Sequence, residues 1–144
     1  MFESAKWIAA PQTDQPSPLF RLAFPVKPGL TSASLSLCAL GYGVATVNGK
    51  PVTEDVLTTP LTRFDATVQY NTYDVTGLLQ KGNNALGVML GNGWYNDTAA
   101  TWDYEKAPWR HHPKLLAQLD LEYENGERET LVSSPGWRTA AGPI

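Results

Sequence analysis

Alternation of apolar and polar positions with a period of two runs through most of this chain. Over Thr31–Ala39, the residues Ala33, Leu35, Leu37 and Ala39 share one face, and Ser32, Ser34, Ser36 and Cys38 the other, which predicts a strand with one core face. Lys114–Tyr123 repeats the pattern, with Leu115, Ala117, Leu119 and Leu121 against Lys114, Leu116, Gln118, Asp120 and Glu122. Thr67–Tyr73 alternates as well, with Val68, Tyr70 and Thr72 on one side. Ala85–Leu90 is a short apolar run and reads as a buried strand. Leu19–Phe24 sits between Pro18 and Pro25 and reads as edge-like, because proline cannot donate to a ladder. Tyr42–Val47 ends in Asn48-Gly49, and Lys50–Val52 would return. Asn-Gly is a strong hairpin signal, since both central residues of a type I′ turn need positive φ. Asn125-Gly126 makes a second hairpin with Glu127–Val132. Leu57–Phe64 is irregular, Asp74–Leu79 reads as one helical turn with Asp74 as its N-cap, and Lys81–Asn84 turns the chain. Trp137–Ala140 is a last short strand.

About eight antiparallel strands with almost no helix favour an all-β, two-sheet β-sandwich of jelly-roll type over a parallel sheet. The 144 residues correspond to one domain. A chain of that size buries roughly two-thirds of its unfolded surface and needs no metal or disulfide staple. A net charge of −3 leaves no footprint for nucleic acid or an anionic membrane. No run approaches the ~18 apolar residues of a membrane span. Met1–Ile8 lacks the basic-then-apolar order of a signal peptide, and the single Cys38 fits a buried thiol in a reducing compartment, so a cytoplasmic location is expected.

The candidate chemistry lies after Ala85–Leu90. Gly91-Asn92-Gly93-Trp94-Tyr95-Asn96-Asp97 opens a loop to Pro113 that also holds Trp102, Asp103, Tyr104, Trp109 and Arg110. At roughly 20 residues it exceeds the ~12–15 at which structureless connections become uncommon and usually functional. Flat aromatic faces beside amides and carboxylates suit a sugar, offering apolar area to its C–H faces and hydrogen bonds to its hydroxyls. Each candidate also has a plainer reading. Trp94 and Tyr95 are adjacent, so in extended chain one faces the core and the other solvent. Trp102 and Trp109, which follow no periodicity, read more plainly as a mini-core that pins the loop or as a contact surface for a separate catalytic domain. Asn92, Asn96, Asp97 and Asp103 suit hydroxyls or calcium, and Asx residues also populate turns for local reasons. Trp7 and Trp137 read as packing residues that close the sandwich.

Asp103 and Glu105 fall two apart, which in a strand spaces them about 6–7 Å, near the lower limit for inverting glycosidases. Two acids flanking Tyr104 on a wet loop read better as solvated. His111 and His112 precede Pro113 and would diverge in extended chain, so they do not chelate one metal together. Zinc spacings, serine-hydrolase elbows, phosphate loops and dinucleotide fingerprints are absent from the sequence.

Several strings together resemble a known family. Tyr73-Asp74-Val75-Thr76-Gly77-Leu78-Leu79 followed by Gly82-Asn83-Asn84-Ala85-Leu86-Gly87-Val88 is similar to a turn and strand of many sugar-associated sandwiches. Joined to Leu90-Gly91-Asn92-Gly93-Trp94-Tyr95-Asn96, it resembles the N-terminal β-sandwich domain of bacterial α-L-rhamnosidases of glycoside hydrolase family 78. Trp7-Ile8, Phe20-Arg21, Gly41-Tyr42, Val47–Lys50, Lys106–Arg110, Trp137-Arg138 and Gly142-Pro143-Ile144 extend the likeness along the chain. The resemblance implies a galactose-binding-like sandwich that is an accessory domain of a longer enzyme. In such enzymes a glutamate pair in an (α/α)6 barrel further along inverts the anomeric centre, and this chain would carry no catalytic residue. It also implies, for some members, L-rhamnose bound with a calcium ion nearby. The expected partners are a rhamnosyl oligosaccharide or glycoside and the parent's catalytic domain. The expected sugar-facing residues are Asn92, Trp94, Tyr95, Asn96, Asp97, Trp102, Asp103, Trp109 and Arg110. Scaffolding of the barrel without sugar affinity is the alternative. Ser133-Ser134-Pro135-Gly136 departs from a stretch where acids are common, which costs a carboxylate and weakens a calcium site.

Overall fold

The computed structural model describes residues 1–11, 17–97 and 106–143. Among them are nine strands, β1 (Leu19–Val26), β2 (Leu30–Leu40), β3 (Tyr42–Val47), β4 (Lys50–Pro51), β5 (Asn71–Asp74), β6 (Gly82–Gly91), β7 (Lys114–Tyr123), β8 (Arg128–Val132) and β9 (Arg138–Ala140), with one 3-10 turn, η1 (Thr76–Leu78). They pair antiparallel in a five-stranded sheet, β4-β3-β6-β1-β9, and a four-stranded sheet, β5-β2-β7-β8. The chain is a jelly-roll β-sandwich, as its alternation implies.

The core lies between the sheets. Phe20 and Phe24 of β1, Ala45 and Val47 of β3, and Leu86, Val88 and Leu90 of β6 meet Ala33, Leu35, Leu37 and Ala39 of β2 and Leu115, Ala117, Leu119, Leu121 and Tyr123 of β7. The inward faces of β2 and β7 are those their sequences predict. The apolar run Ala85–Leu90 is buried on one face only: Ala85, Gly87 and Met89 point out and stay half-exposed. An antiparallel sheet needs one buried face, so an apolar run is no proof of two.

Three further details depart from the alternation. β1 is edge-like over half its length, since it pairs with β6 throughout but with β9 only at Leu19–Arg21. Pro25 occupies the half with one open side, where no ladder N–H is needed. Of Thr67–Tyr73 only Asn71 onward is strand; Ala66 and Thr67 donate back to the Arg63 carbonyl, and the Gln69 carbonyl accepts from the Cys38 thiol. The N-cap position of η1 is Val75, but Asp74 Oδ1 one residue earlier accepts from the Thr76 N–H at 3.0 Å and its hydroxyl at 2.6 Å. Those bonds hold the Asp74 carboxyl below its ordinary pKa.

The two Asn-Gly hairpins differ. Asn48 (φ 52°) and Gly49 (φ 79°) make the left-handed pair of a type I′ turn. At the second, only Gly126 is left-handed (φ 83°); its N–H donates to the Tyr123 carbonyl at 2.9 Å, as in a type I turn closed by a glycine bulge.

Candidate functional site

β6 delivers the chain into residues 92–97, which form a tight turn. The Asn96 N–H donates to the Asn92 carbonyl at 3.1 Å, and Asn96 Nδ2 donates to Asn92 Oδ1 at 2.9 Å. The turn is pressed onto the corner between β2 and β3. A Cβ on Gly41 (φ 111°) would stand 2.1 Å from the Gly91 carbonyl oxygen, so the corner closes only with glycine there. A Cβ on Gly93 (φ 51°) would stand 3.3 Å from the Tyr42 backbone nitrogen, a less crowded approach.

Trp94 and Tyr95 take opposite fates, as their adjacency implies, but through this turn and not through extended chain. Tyr95 is 4% exposed and Trp94 38%. The Tyr95 ring meets Phe64 edge-on, with centroids 5.4 Å apart and planes at 87°. Phe64 also meets Trp109 at 5.9 Å. With Leu40 and Val68 these rings form a second apolar cluster. Leu40 has the outward parity of Ser36 and Cys38, so the cluster caps the outer face of the four-stranded sheet at one end. Burial raises the Tyr95 phenol pKa. It also pushes the Cys38 thiol up to about 11.

Of the expected sugar-facing residues, Asn92, Trp94, Asn96 and Asp97 share this turn. Tyr95 is a correction: it anchors the turn from below and offers no face to a ligand. Trp109 is half-buried and packs against Phe64 as its plainer reading describes; its indole N–H is buried and meets no acceptor among the described residues. Arg110 is half-buried, with its backbone N–H on the Ala107 carbonyl at 3.2 Å. Trp102 and Asp103, with Tyr104 and Glu105, lie outside the described residues. Phe64 escaped sequence reasoning. It sits in an irregular stretch with no periodicity, and a lone aromatic there was the only signal.

Other expectations change. Trp7 is 44% exposed and does not close the sandwich; Ile8 does, bridging to Leu115, while Trp137 is buried and donates its indole N–H to the Val132 carbonyl. In the extended stretch around that bridge, adjacent side chains point opposite ways. His111 and His112 do not diverge: their rings meet edge-on at 5.2 Å. Ser133 is fully buried, donating to the Lys6 carbonyl at 2.7 Å and accepting from the Ala117 N–H at 3.0 Å. The departure from acids thus serves as a clasp. Among the described residues no three His, Cys, Asp or Glu converge on a metal-sized site, and Asn92 Oδ1 is committed to Asn96.

A sandwich that displays a loop pinned by buried rings is the class this geometry defines. The chain belongs to the α-L-rhamnosidase N-terminal domain family, whose sequence model matches residues 29–144. It is 39% identical over 115 residues to an α-L-rhamnosidase of Streptomyces avermitilis, covering 80% of this chain and 11% of that protein. The α-L-rhamnosidase structure from Dictyoglumus thermophilum matches with a TM-score of 0.87 and 30% identity over 97% of this chain and 17% of that one. The Streptomyces avermitilis α-L-rhamnosidase complexed with L-rhamnose matches with a TM-score of 0.82 and 37% identity over 94% of this chain and 13% of that one. The chain spans 11% to 16% of the length of the curated relatives it matches.

Proposed function

We propose that this chain is an accessory β-sandwich of a longer α-L-rhamnosidase and helps its parent hold rhamnose-containing glycans, with no reaction centre of its own. The observation that carries the reading is the contrast within one turn. Trp94 presents part of its indole to solvent at 38% exposure, on a backbone fixed by Asn92, Asn96 and the buried Tyr95. A preorganised aromatic beside amide and carboxylate groups suits the C–H face and hydroxyls of a sugar. The relative solved with L-rhamnose supports the choice of sugar.

Magnitudes keep the affinity weak. A sugar covering about 100 Å² of indole gains about 2–3 kcal/mol at ~25 cal/mol/Å². Hydrogen bonds add about 1 kcal/mol each, and association entropy removes several. A dissociation constant between high micromolar and millimolar, about −4 to −6 kcal/mol, is the upper range expected of so small a contact. Titration with L-rhamnose, followed by calorimetry and by the backbone amide NMR signals of residues 92–97, should saturate in that range and fail in Trp94→Ala. A flat titration at tens of millimolar, with and without calcium, would defeat the reading.

The second reading, a scaffold without sugar affinity, draws support from a different surface: the outer face of the five-stranded sheet carries an apolar row that the described residues leave uncovered.

A further inference from the structure

The antiparallel register builds a patterned surface on that outer face. Val44, Met89, Leu19 and Ala140 stand side by side across β3, β6, β1 and β9, paired Val44↔Met89, Met89↔Leu19 and Leu19↔Ala140. The neighbouring row, two residues along each strand, is Thr46, Gly87, Arg21 and Arg138. Gly87 keeps the floor low, and the two rows border an open groove of about 630 Å³. Val44 is 52% exposed in it.

Two features make this more than a sheet face open to water. A solvated antiparallel face normally reads polar, and here a continuous row is apolar. The arginines are also directly opposed across β1 and β9, an arrangement that repels. Neither has a carboxylate partner among the described residues, although the chain carries an excess of acids elsewhere. A guanidinium binds a carboxylate in a planar, two-pronged fashion, and a carboxylate between two of them relieves their repulsion. No aromatic lies in either row to stack on a sugar, so a protein surface fits better than a glycan.

We infer that this face docks an apolar segment carrying an Asp or Glu, supplied by the remainder of the rhamnosidase polypeptide, with the carboxylate between Arg21 and Arg138 and apolar side chains over Gly87. This rests on the reading that the chain is part of a longer enzyme. Two observations favour that occupant. β9 is an edge of this same sheet, and Gly142 two residues later is held so tightly that a Cβ would meet the Ser17 carbonyl. Residues continuing from there begin beside the groove, where tethering raises their effective concentration. The curated relatives also hold most of their length outside this domain.

The test uses the whole polypeptide that contains this chain. Val44→Cys on the docking face and Thr130→Cys on the opposite outer face are each treated with a polyethylene-glycol maleimide; buried Cys38 gives the unreactive background. Labelling at Val44→Cys should be about tenfold slower than at Thr130→Cys. Adding Arg21→Glu and Arg138→Glu should bring it up to the Thr130→Cys rate, whereas Arg21→Lys should leave it slow. Equal rates at the two positions would overturn the inference and leave the sugar reading standing. So would protection that survives both charge reversals. Protection lost on dilution would assign the face to a second copy and also overturn it. A gene ending at residue 144 would defeat the accessory-domain reading itself.

Discussion

The two sheets of this sandwich share one core, yet their outer faces are built differently. The four-stranded sheet turns out Ser32, Ser34, Asp120, Glu122, Arg128 and Thr130 at one end. Thr130 donates to Asp120, and Arg128 pairs with Glu122. At its other end, Leu40 packs with Phe64, Tyr95 and Trp109, and Cys38, two residues earlier, is buried with its thiol on the Gln69 carbonyl. The five-stranded sheet turns out Val44, Met89, Leu19 and Ala140 with two arginines that have no carboxylate partner among the described residues. One face is finished within the chain, by polar pairing and by its own loops. The other is apolar, charged with one sign, and left open. A sheet face that the described residues neither solvate nor cover fits the docked partner proposed above.

The contrast can be broken most directly at Phe64. Phe64→Ala should cost about 3 kcal/mol in urea unfolding, because it removes a buried ring that touches two others. A loss below about 1 kcal/mol would mean that the covered face is not anchored by this cluster. Ser133→Ala should cost about 2 kcal/mol, since it strips the buried Ala117 N–H and Lys6 carbonyl of their shared partner; thermal melts would show it.

Cys38 reports on the cover itself. Its folded-state pKa, raised to about 11 by burial, lies above that of an unfolded thiol. The folded chain therefore keeps a proton the unfolded chain loses, and stability should be full below about pH 8.5 and fall as pH rises toward 11. Cys38→Ala should reduce that slope in pH-dependent unfolding, leaving the share of the Tyr95 phenol, whose pKa burial also raises. Phe64→Ala should flatten it and let a disulfide reagent reach the thiol. An unchanged slope in Phe64→Ala would show that the thiol is shielded by something else. The smallest effect is expected on the open face. Val44→Ser should shift the stability of this chain by no more than about 0.5 kcal/mol, as at other exposed positions. A larger loss would show that Val44 already packs within the chain.

Much of the fold was legible. β2 and β7 and their inward faces follow from alternation, and β3 with its Asn48-Gly49 turn from the φ both turn residues need. Less of the site was. The Gly91–Asp97 stretch announced itself by composition, but Trp94 and Tyr95 could be told apart only once Phe64, about 30 residues away in an irregular segment, was seen beneath Tyr95. Trp7 misled because tryptophan near a chain end carries no signal of direction; Ile8 takes the inward position that the bridge to Leu115 dictates.

By itself the sequence determined a two-sheet all-β chain with a glycine-released aromatic loop, because a period of two and turn chemistry are local and each strand carries its own copy. Only the tertiary structure decided which outer face is covered, which aromatic anchors, and that Arg21 and Arg138 stand together. Those facts depend on strand register and loop packing across more than 100 residues, where contacts, and not neighbouring letters, set the outcome.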